Sequence, residues 1–142
     1  MHPLIKAKLT LITVLQLLNR TKSCKNNYLW DTSSKSKLIE SILIGLPLPL
    51  FYVDSTKEQW RVLDGSLRII TLREYIVEDK FSLKGLTFLN ELEGLKFSQL
   101  LRHYQRQLEE TELYVCLIEP PTSLENVHKI HTRIQSNSNR FL

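Results

Sequence analysis

The sequence predicts an α+β fold in one domain, with a small mixed sheet flanked by helices. Three observations carry that expectation. Short apolar runs bounded by turn residues alternate with segments of helical periodicity. At 142 residues and 42% hydrophobic, the chain is long enough for one core and too short for two ordinary domains. Pro47, Pro49, Pro120 and Pro121 fall between the periodic segments, where they end elements rather than interrupt them.

Taken in order, Leu9 to Leu18 follows Lys6 and Lys8 and resembles a short signal sequence, but Thr10, Thr13 and Gln16 interrupt it and no small-residue cleavage site follows. Leu11, Leu15 and Leu18 form a helical stripe, so the run predicts an amphipathic first helix. Thr21 to Asn27 reads as a polar turn, and Tyr28-Leu29-Trp30 as an aromatic return to the core. Ser33 or Ser34 is placed to cap a helix whose face carries Leu38, Ile39, Ile42, Leu43 and Leu46, and Gly45 with Pro47 stops it. Glu40, Gly45, Pro47 and Pro49 prevent the stretch from Leu38 to Val53 spanning a bilayer as one helix, so no membrane partner is expected.

Residues 50–53 and 59–63 flank the polar segment 54–58 and predict an antiparallel hairpin. A helix then runs from Ser66 to about Val77 with Ile69, Leu72 and Ile76 inward, which leaves Arg68, Thr71 and Tyr75 along another face. Residues 81–108 supply apolar anchors at Phe81, Leu83, Leu86, Phe88 and Leu89, then one or two short helices from Phe97. Leu113 to Ile118, apolar at both alternating sets of positions, predicts a central strand covered on both faces. Pro120-Pro121 ends it, and Thr122-Ser123-Leu124-Glu125 has the capping-box pattern that opens a last helix carrying Val127, Ile130 and Ile134. The segment 135–139 reads as a turn or exposed loop.

The chemistry centres on Trp60-Arg61-Val62-Leu63-Asp64-Gly65-Ser66-Leu67-Arg68, a strand, a tight turn and a helix opening. Backbone N–H groups at a helix start converge on one point, and Arg68, one turn in, adds a charge-assisted fork suited to phosphate. Asp64 beside an anion site repels it unless it holds a cation or a proton, so the Asp64 and Arg68 pair points to nucleotide chemistry. The plainer alternative stays open: Asp64 caps the helix through the N–H of Ser66 or Leu67, and Arg68 lies on the solvated face.

The formal charge is +4, and it is uneven: residues 1–71 carry 10 basic and 5 acidic side chains, residues 72–142 carry 9 and 10. That bias suits a polyanion but lies within the ordinary range of soluble domains. A DNA-binding role through Lys6, Lys8, Arg20, Lys22, Lys25, Lys35 and Lys37 needs residues from several elements to share one surface, and a solvated basic face is the simpler reading. Cys24 and Cys116 are isolated thiols without zinc or disulfide spacing, which suits a reducing cytoplasm. His128 and His131 stand three apart on the last helix and read as solvated, because zinc sites need three or four ligands; His103 and His2 have no partner visible in the sequence. Glu109, Glu110 and Glu112 read as solubilising carboxylates rather than an acid/base set.

From Leu9 onward the chain resembles the amino-terminal domain of GmrSD-type restriction endonucleases, a branch of the ParB/sulfiredoxin-like fold. The residues that carry the resemblance are the helix and exit turn from Leu38 to Pro49, Trp30 at the end of an early aromatic motif, and the strand entry from Leu108 to Leu113. The family's junction signature, Asp-Gly-Gln-Gln-Arg, stands here in altered form as Asp64-Gly65-Ser66-Leu67-Arg68. The resemblance implies nucleotide binding and hydrolysis in defence against foreign or modified DNA, with GTP or ATP and Mg2+ as cofactors. Asp64 and Arg68 would then be catalytic, Gly65, Ser66 and Arg68 phosphate-binding, and Asp64 the metal ligand. Partners would be a nucleotide and either DNA or a nuclease-domain protein.

This chain departs from the family pattern at three places. Both motif glutamines are absent, Asn26 and Asn27 occupy the neighbourhood of an earlier Gln-Arg pair, and Arg133-Ile134-Gln135-Ser136-Asn137-Ser138 stands where Arg-Ile-Asn-Thr-Gly-Gly is expected. A Gln side chain can orient water or clamp phosphate; Ser66 reaches less far and Leu67 offers neither donor nor acceptor. Binding without efficient turnover is therefore expected, with a non-catalytic remnant or protein-interaction module as the alternative. The chain is expected to be one such domain over 1–142, without the downstream helical and nuclease-type regions.

Overall fold

In the computed structural model, residues 4–21 and 30–138 are described. The expectations for His2, Lys22, Cys24, Lys25, Asn26, Asn27, Tyr28, Leu29 and Asn139 lie outside them. The chain runs β1 (Lys6–Thr13), α1 (Val14–Arg20), α2 (Thr32–Leu43), β2 (Phe51–Asp54), β3 (Arg61–Asp64), α3 (Ser66–Leu72), α4 (Arg102–Glu110), β4 (Glu112–Glu119) and α5 (Leu124–Ser138). The sheet order is β1-β4-β2-β3. β4 pairs antiparallel with β1 and parallel with β2, and β2 with β3 forms the antiparallel hairpin. The fold is α+β with a mixed sheet, as the sequence predicts.

The first element corrects the expectation of a helix over Leu9 to Leu18. Residues up to Thr13 are extended, with Leu9 opposite Cys116 and Leu11 opposite Tyr114. Thr10 and Ile12 alternate with Leu9 and Leu11, a period-2 pattern that favours a strand once β4 is beside it. The helix starts only at Thr13, whose hydroxyl accepts from the Gln16 N–H while the Gln16 side chain accepts from the Thr13 N–H. This reciprocal capping box fixes the strand-to-helix corner. Leu11 and Leu15 are consequently exposed, and Leu18 alone of that stripe is buried.

One face of the sheet carries the main core, where Val14, Leu17, Ile39, Phe51, Val53, Ile69, Leu72, Tyr75, Leu108 and Val115 are fully buried. Trp30 packs against it, as expected. α2 is capped by Asp31, whose carboxylate accepts from the Ser34 N–H at 2.7 Å, rather than by Ser33 or Ser34. Its stripe is buried as far as Leu43, and Leu46, beyond the helix end, is exposed. The Gln107 amide of α4 donates to the Leu43 carbonyl at 2.7 Å, satisfying one of the last α2 acceptors.

Glu40 stands on the buried face of α2 and is itself buried, with no cation paired to it among the described residues. Its carboxylate accepts from the N–H groups of Thr87, Phe88 and Leu89 at 3.1, 2.7 and 2.8 Å, so it replaces a turn of secondary structure for that segment. Glu93 does the same for Gly85 and Leu86, and Ser36 for Lys84. Three side chains thus order the long irregular stretch between residues 83 and 95.

The opposite face of the sheet is covered only in part. α5 lays Val127 on Leu63 and Ile118, with Tyr52, Cys116 and Ile130 at the margin. β4 is therefore enclosed at its carboxyl end, whereas Tyr114 near its start is 51% exposed, which corrects the expectation of a strand covered throughout. Ser123, not Thr122, caps α5 through the Asn126 N–H; the Thr122 hydroxyl instead accepts from the Lys6 N–H at 2.9 Å and ties the α5 approach to β1. α5 continues to Ser138, across most of the segment expected to be a loop. Among the described residues no helix is long and apolar enough to cross a membrane.

Candidate functional site

The strand, turn and helix around Asp64 form as the sequence predicts. β3 ends at Asp64, α3 begins at Ser66, and Gly65 is the N-cap, so the cap position does not fall on Asp64. Gly65 has φ 106°, a conformation that L side chains rarely adopt. A Cβ there would lie 2.5 and 2.9 Å from the ring of Phe51 and 3.1 Å from Arg68 Nη2. Phe51 is fully buried in the main core, so its ring could give way only by disturbing that packing. Glycine is required here by both backbone angle and space.

Arg68 is not on a solvated face, nor does it extend freely toward a ligand. Its side chain is only 13% exposed. One Nη donates to the Pro49 carbonyl and the other to the Leu50 carbonyl at 3.3 Å. The guanidinium lies 3.9 Å from the Phe51 ring centroid and 4.0 Å from the Asp64 carboxylate. Burial pulls the Arg68 pKa below its ordinary value while Asp64 acts in the opposite direction, and the group stays a cation. Arg68 therefore clamps the segment entering β2 to the start of α3, with Asp64 beside it.

The face assigned to Arg68, Thr71 and Tyr75 is not a common ligand surface. Thr71 and Tyr75 are buried, the former donating to the Leu67 carbonyl and the latter to the Leu95 carbonyl at 3.1 Å. Thr71 is buried within α3 itself, beside Leu72; beyond it Arg73–Val77 is a π-helical turn, which rotates Tyr75 off the regular α period. Arg73 then reaches the carbonyls of Leu18 and Thr21 at 3.1 and 3.2 Å and closes the end of α1. Ser66 and Leu67 are half-buried in the first turn of α3, at the places of the two missing glutamines.

The other sequence candidates disperse. Lys6 and Lys8 lie on β1, Arg20 at the end of α1 stacks on Trp60 at 4.9 Å, and Lys35 on α2 pairs with Glu74 at 2.8 Å. Lys35 is therefore committed within the fold. Glu109 pairs with Arg102 at 3.6 Å, while Glu110 ends α4 and Glu112 begins β4. His103 stacks against Tyr104 with ring centroids 4.0 Å apart. Among the described residues no group of three or more His, Cys, Asp or Glu side chains is gathered to hold a metal ion.

His131 departs from the expectation of a solvated histidine. It is half-buried on α5, one turn beyond Val127, which packs on Leu63. Burial holds its pKa below the ordinary value, as does Arg61; the Leu63 backbone and Asp64 act to raise it, and His128 to lower it. Sequence reasoning separated His131 from Asp64, although its spacing from Val127 puts both on one helix face.

The comparisons with known proteins agree with this geometry at the level of family. No curated protein and no solved structure matches the chain. The family model described as GmrSD restriction endonuclease, N-terminal domain, matches residues 26–141, most of the chain and all of the strand–turn–helix site. That family has the ParB/sulfiredoxin-like fold expected from the motifs. The chain belongs to the GmrSD restriction endonuclease N-terminal domain family.

Proposed function

We propose that this domain binds the phosphates of GTP or ATP at the β3–α3 junction and turns them over poorly or not at all, as a cytoplasmic module of a restriction-type defence system. The observation that carries the reading is the retained junction: Asp64 and Arg68 stand 4.0 Å apart around a glycine whose backbone no other residue can replace. An incoming phosphate would meet the N–H groups and hydroxyl at Ser66 and the edge of the Arg68 guanidinium. Magnesium would arrive with the nucleotide, held mainly by its phosphates and water, as is usual for that ion.

Turnover needs a group that orients the attacking water and stabilises the charge it develops. Leu67 offers no such group, Ser66 is short, and Arg68 is occupied by the Pro49 and Leu50 carbonyls. That occupation also favours a second reading, in which the junction is a structural clamp in a non-catalytic interaction module. Partner chains, whether a nuclease-domain protein or DNA, would be engaged elsewhere on the surface.

Calorimetric titration with GTP·Mg2+ and ATP·Mg2+ separates the two. Ser66→Asp is the informative variant, because a carboxylate in the first turn of a helix is favourable for stability but repels phosphate. The binding reading expects saturable heat with wild type and at least a tenfold weaker isotherm with Ser66→Asp, which is about 1.4 kcal/mol. Folded wild type that binds neither nucleotide supports the clamp.

A further inference from the structure

β1 is an outer strand of the sheet: it pairs with β4 on one side, and among the described residues no strand lies beyond it. In an antiparallel pair the backbone groups of alternate residues point at the partner strand, and those of the residues between point away. The Val14 N–H reaches the Thr111 carbonyl and the Lys6 N–H the Thr122 hydroxyl, both on the β4 side, whereas the Thr13 N–H turns to its own Gln16 side chain. In that phase Lys6, Lys8, Thr10 and Ile12 direct their backbone groups at β4, and Ala7, Leu9 and Leu11 direct theirs outward. An open edge of this kind is a template for a further strand.

The side chains of the same three residues lie on the sheet face opposite the main core, with Ala7 beside Ile118, Leu9 beside Cys116 and Leu11 beside Tyr114. α5 covers only the Ile118 end of that face. Leu9 is left 65% exposed and Leu11 47%, next to the exposed Tyr114. Outward backbone donors and acceptors and uncovered apolar side chains thus coincide on one strand.

We propose that β1 pairs with β1 of a second copy of this chain, antiparallel about a two-fold axis at Leu9, so that the two sheets join edge to edge. The strand selects this occupant because it is self-complementary. About Leu9, Ala7 faces Leu11 of the second copy and Leu9 faces its own equivalent, so the outward donors of one chain meet the outward acceptors of the other. The small Ala7 side chain leaves room for the larger Leu11 opposite it. On the other face Lys8 stands opposite Thr10 and Lys6 opposite Ile12, which keeps like charges apart. An axis at Lys8 would set two lysines directly opposite, and an axis at Thr10 would call on the Thr13 N–H, already committed to Gln16. Lys6 and Lys8, which guard the edge against indiscriminate pairing, thereby leave the Leu9 register open. The β3–α3 junction is at the far side of the sheet and takes no part. An interface of one strand pair and its flanking side chains belongs to the small class, about 1,200 Å² or less, so the dimer is weak and half dissociated at roughly 10–100 μM.

Sedimentation equilibrium of wild type from about 5 to 500 μM tests the pairing, and the mass should rise toward twice that of one chain. Leu9→Pro removes an outward N–H and no β1–β4 bond, at a place where an edge strand tolerates proline. Leu9→Lys sets two ammonium groups opposite each other on the axis and changes only an exposed side chain, so it decides the matter even if Leu9→Pro does not fold. Both should weaken association at least tenfold, while Leu46→Lys, exposed beyond the end of α2, should leave it unchanged. Amide exchange locates the contact: Ala7, Leu9 and Leu11 should be slowed in concentrated samples relative to dilute ones, with Lys8 and Thr10 protected in both. Wild type that stays monomeric at the highest concentration overturns the proposal and leaves the edge to a strand of a different chain. A dimer that persists in Leu9→Lys, or in which the Ala7, Leu9 and Leu11 amides exchange as in the monomer, overturns it as well.

Discussion

Replacing Arg68 by alanine should destabilise the domain by about 2–3 kcal/mol, and the structure says where that loss comes from. The guanidinium makes two charge-assisted hydrogen bonds, to the carbonyls of Pro49 and Leu50. Bonds to charged groups contribute about 1.5–3 kcal/mol when buried, but Pro49 is exposed and Leu50 half-buried, so water replaces much of what is lost and about 1 kcal/mol each is appropriate. Stacking on the buried Phe51 ring at 3.9 Å adds ~0.5–1 kcal/mol. The Asp64 pair at 4.0 Å adds a few tenths at most. Urea denaturation measures the sum directly, and a thermal melt should fall by roughly 8–12 °C, at about 4 °C per kcal/mol for a domain of this size. Arg68→Lys keeps the charge but loses the planar fork, and should recover less than half of the loss. A change of ~0.5 kcal/mol or less in Arg68→Ala, the usual size for a solvated side chain, would refute the clamp.

Three other substitutions test the frame around the site. Gly65→Ala should cost roughly 2–4 kcal/mol in urea denaturation, because a positive φ and a 2.5 Å approach to the fully buried Phe51 ring act together. Glu40→Gln should cost about 2–3 kcal/mol near neutral pH, since an amide can accept from only part of the Thr87–Leu89 donor set. Burial pushes the Glu40 carboxyl up, but its three backbone donors outweigh it and hold it below its ordinary value. The stabilisation is therefore complete above the unfolded value of ~4.3 and is lost as pH falls through the lower folded value. The gap between wild type and Glu40→Gln should stay constant from pH 7 to 5 and close below about pH 4; a gap that closes already by pH 6 contradicts this reading. Val127→Ala should cost ~2 kcal/mol and speed amide exchange in α5 before the rest of the domain, because Val127 is the centre of the small cluster holding that helix. Uniform exchange across α2 and α5 would show instead that α5 is fixed elsewhere.

The strand, glycine and helix at 60–72 were legible because a local pattern decides each: an apolar run, a turn residue, a stripe at helical spacing. The stretch from Leu9 to Leu18 was not, because Leu9, Leu11, Leu15 and Leu18 satisfy periods of 2 and 3.6 in different halves, and β4, about a hundred residues away, settles which period applies where. Arg68 looked free for a similar reason. Its acceptors are backbone carbonyls at Pro49 and Leu50, and nothing in a side-chain pattern announces a carbonyl that lacks a partner. The placement of Tyr75 failed because a π turn shifts the helical phase without any sequence mark comparable to proline, and that of Thr71 because the buried face of α3 is wider than the stripe of Ile69 and Leu72. Glu40 interrupts an apolar face, and that anomaly was a readable signal of a buried carboxylate with backbone donors. His131 required knowing which sheet face α5 covers, which only the assembled fold supplies.

The account's central claim is a phosphate site at the β3–α3 junction, and backbone NMR of the labelled domain titrated with GTP·Mg2+ locates it most directly. The account predicts saturable shifts concentrated at Gly65, Ser66, Leu67 and Arg68. Shifts confined to another surface, or none at millimolar nucleotide, would contradict it and leave the junction as a clamp.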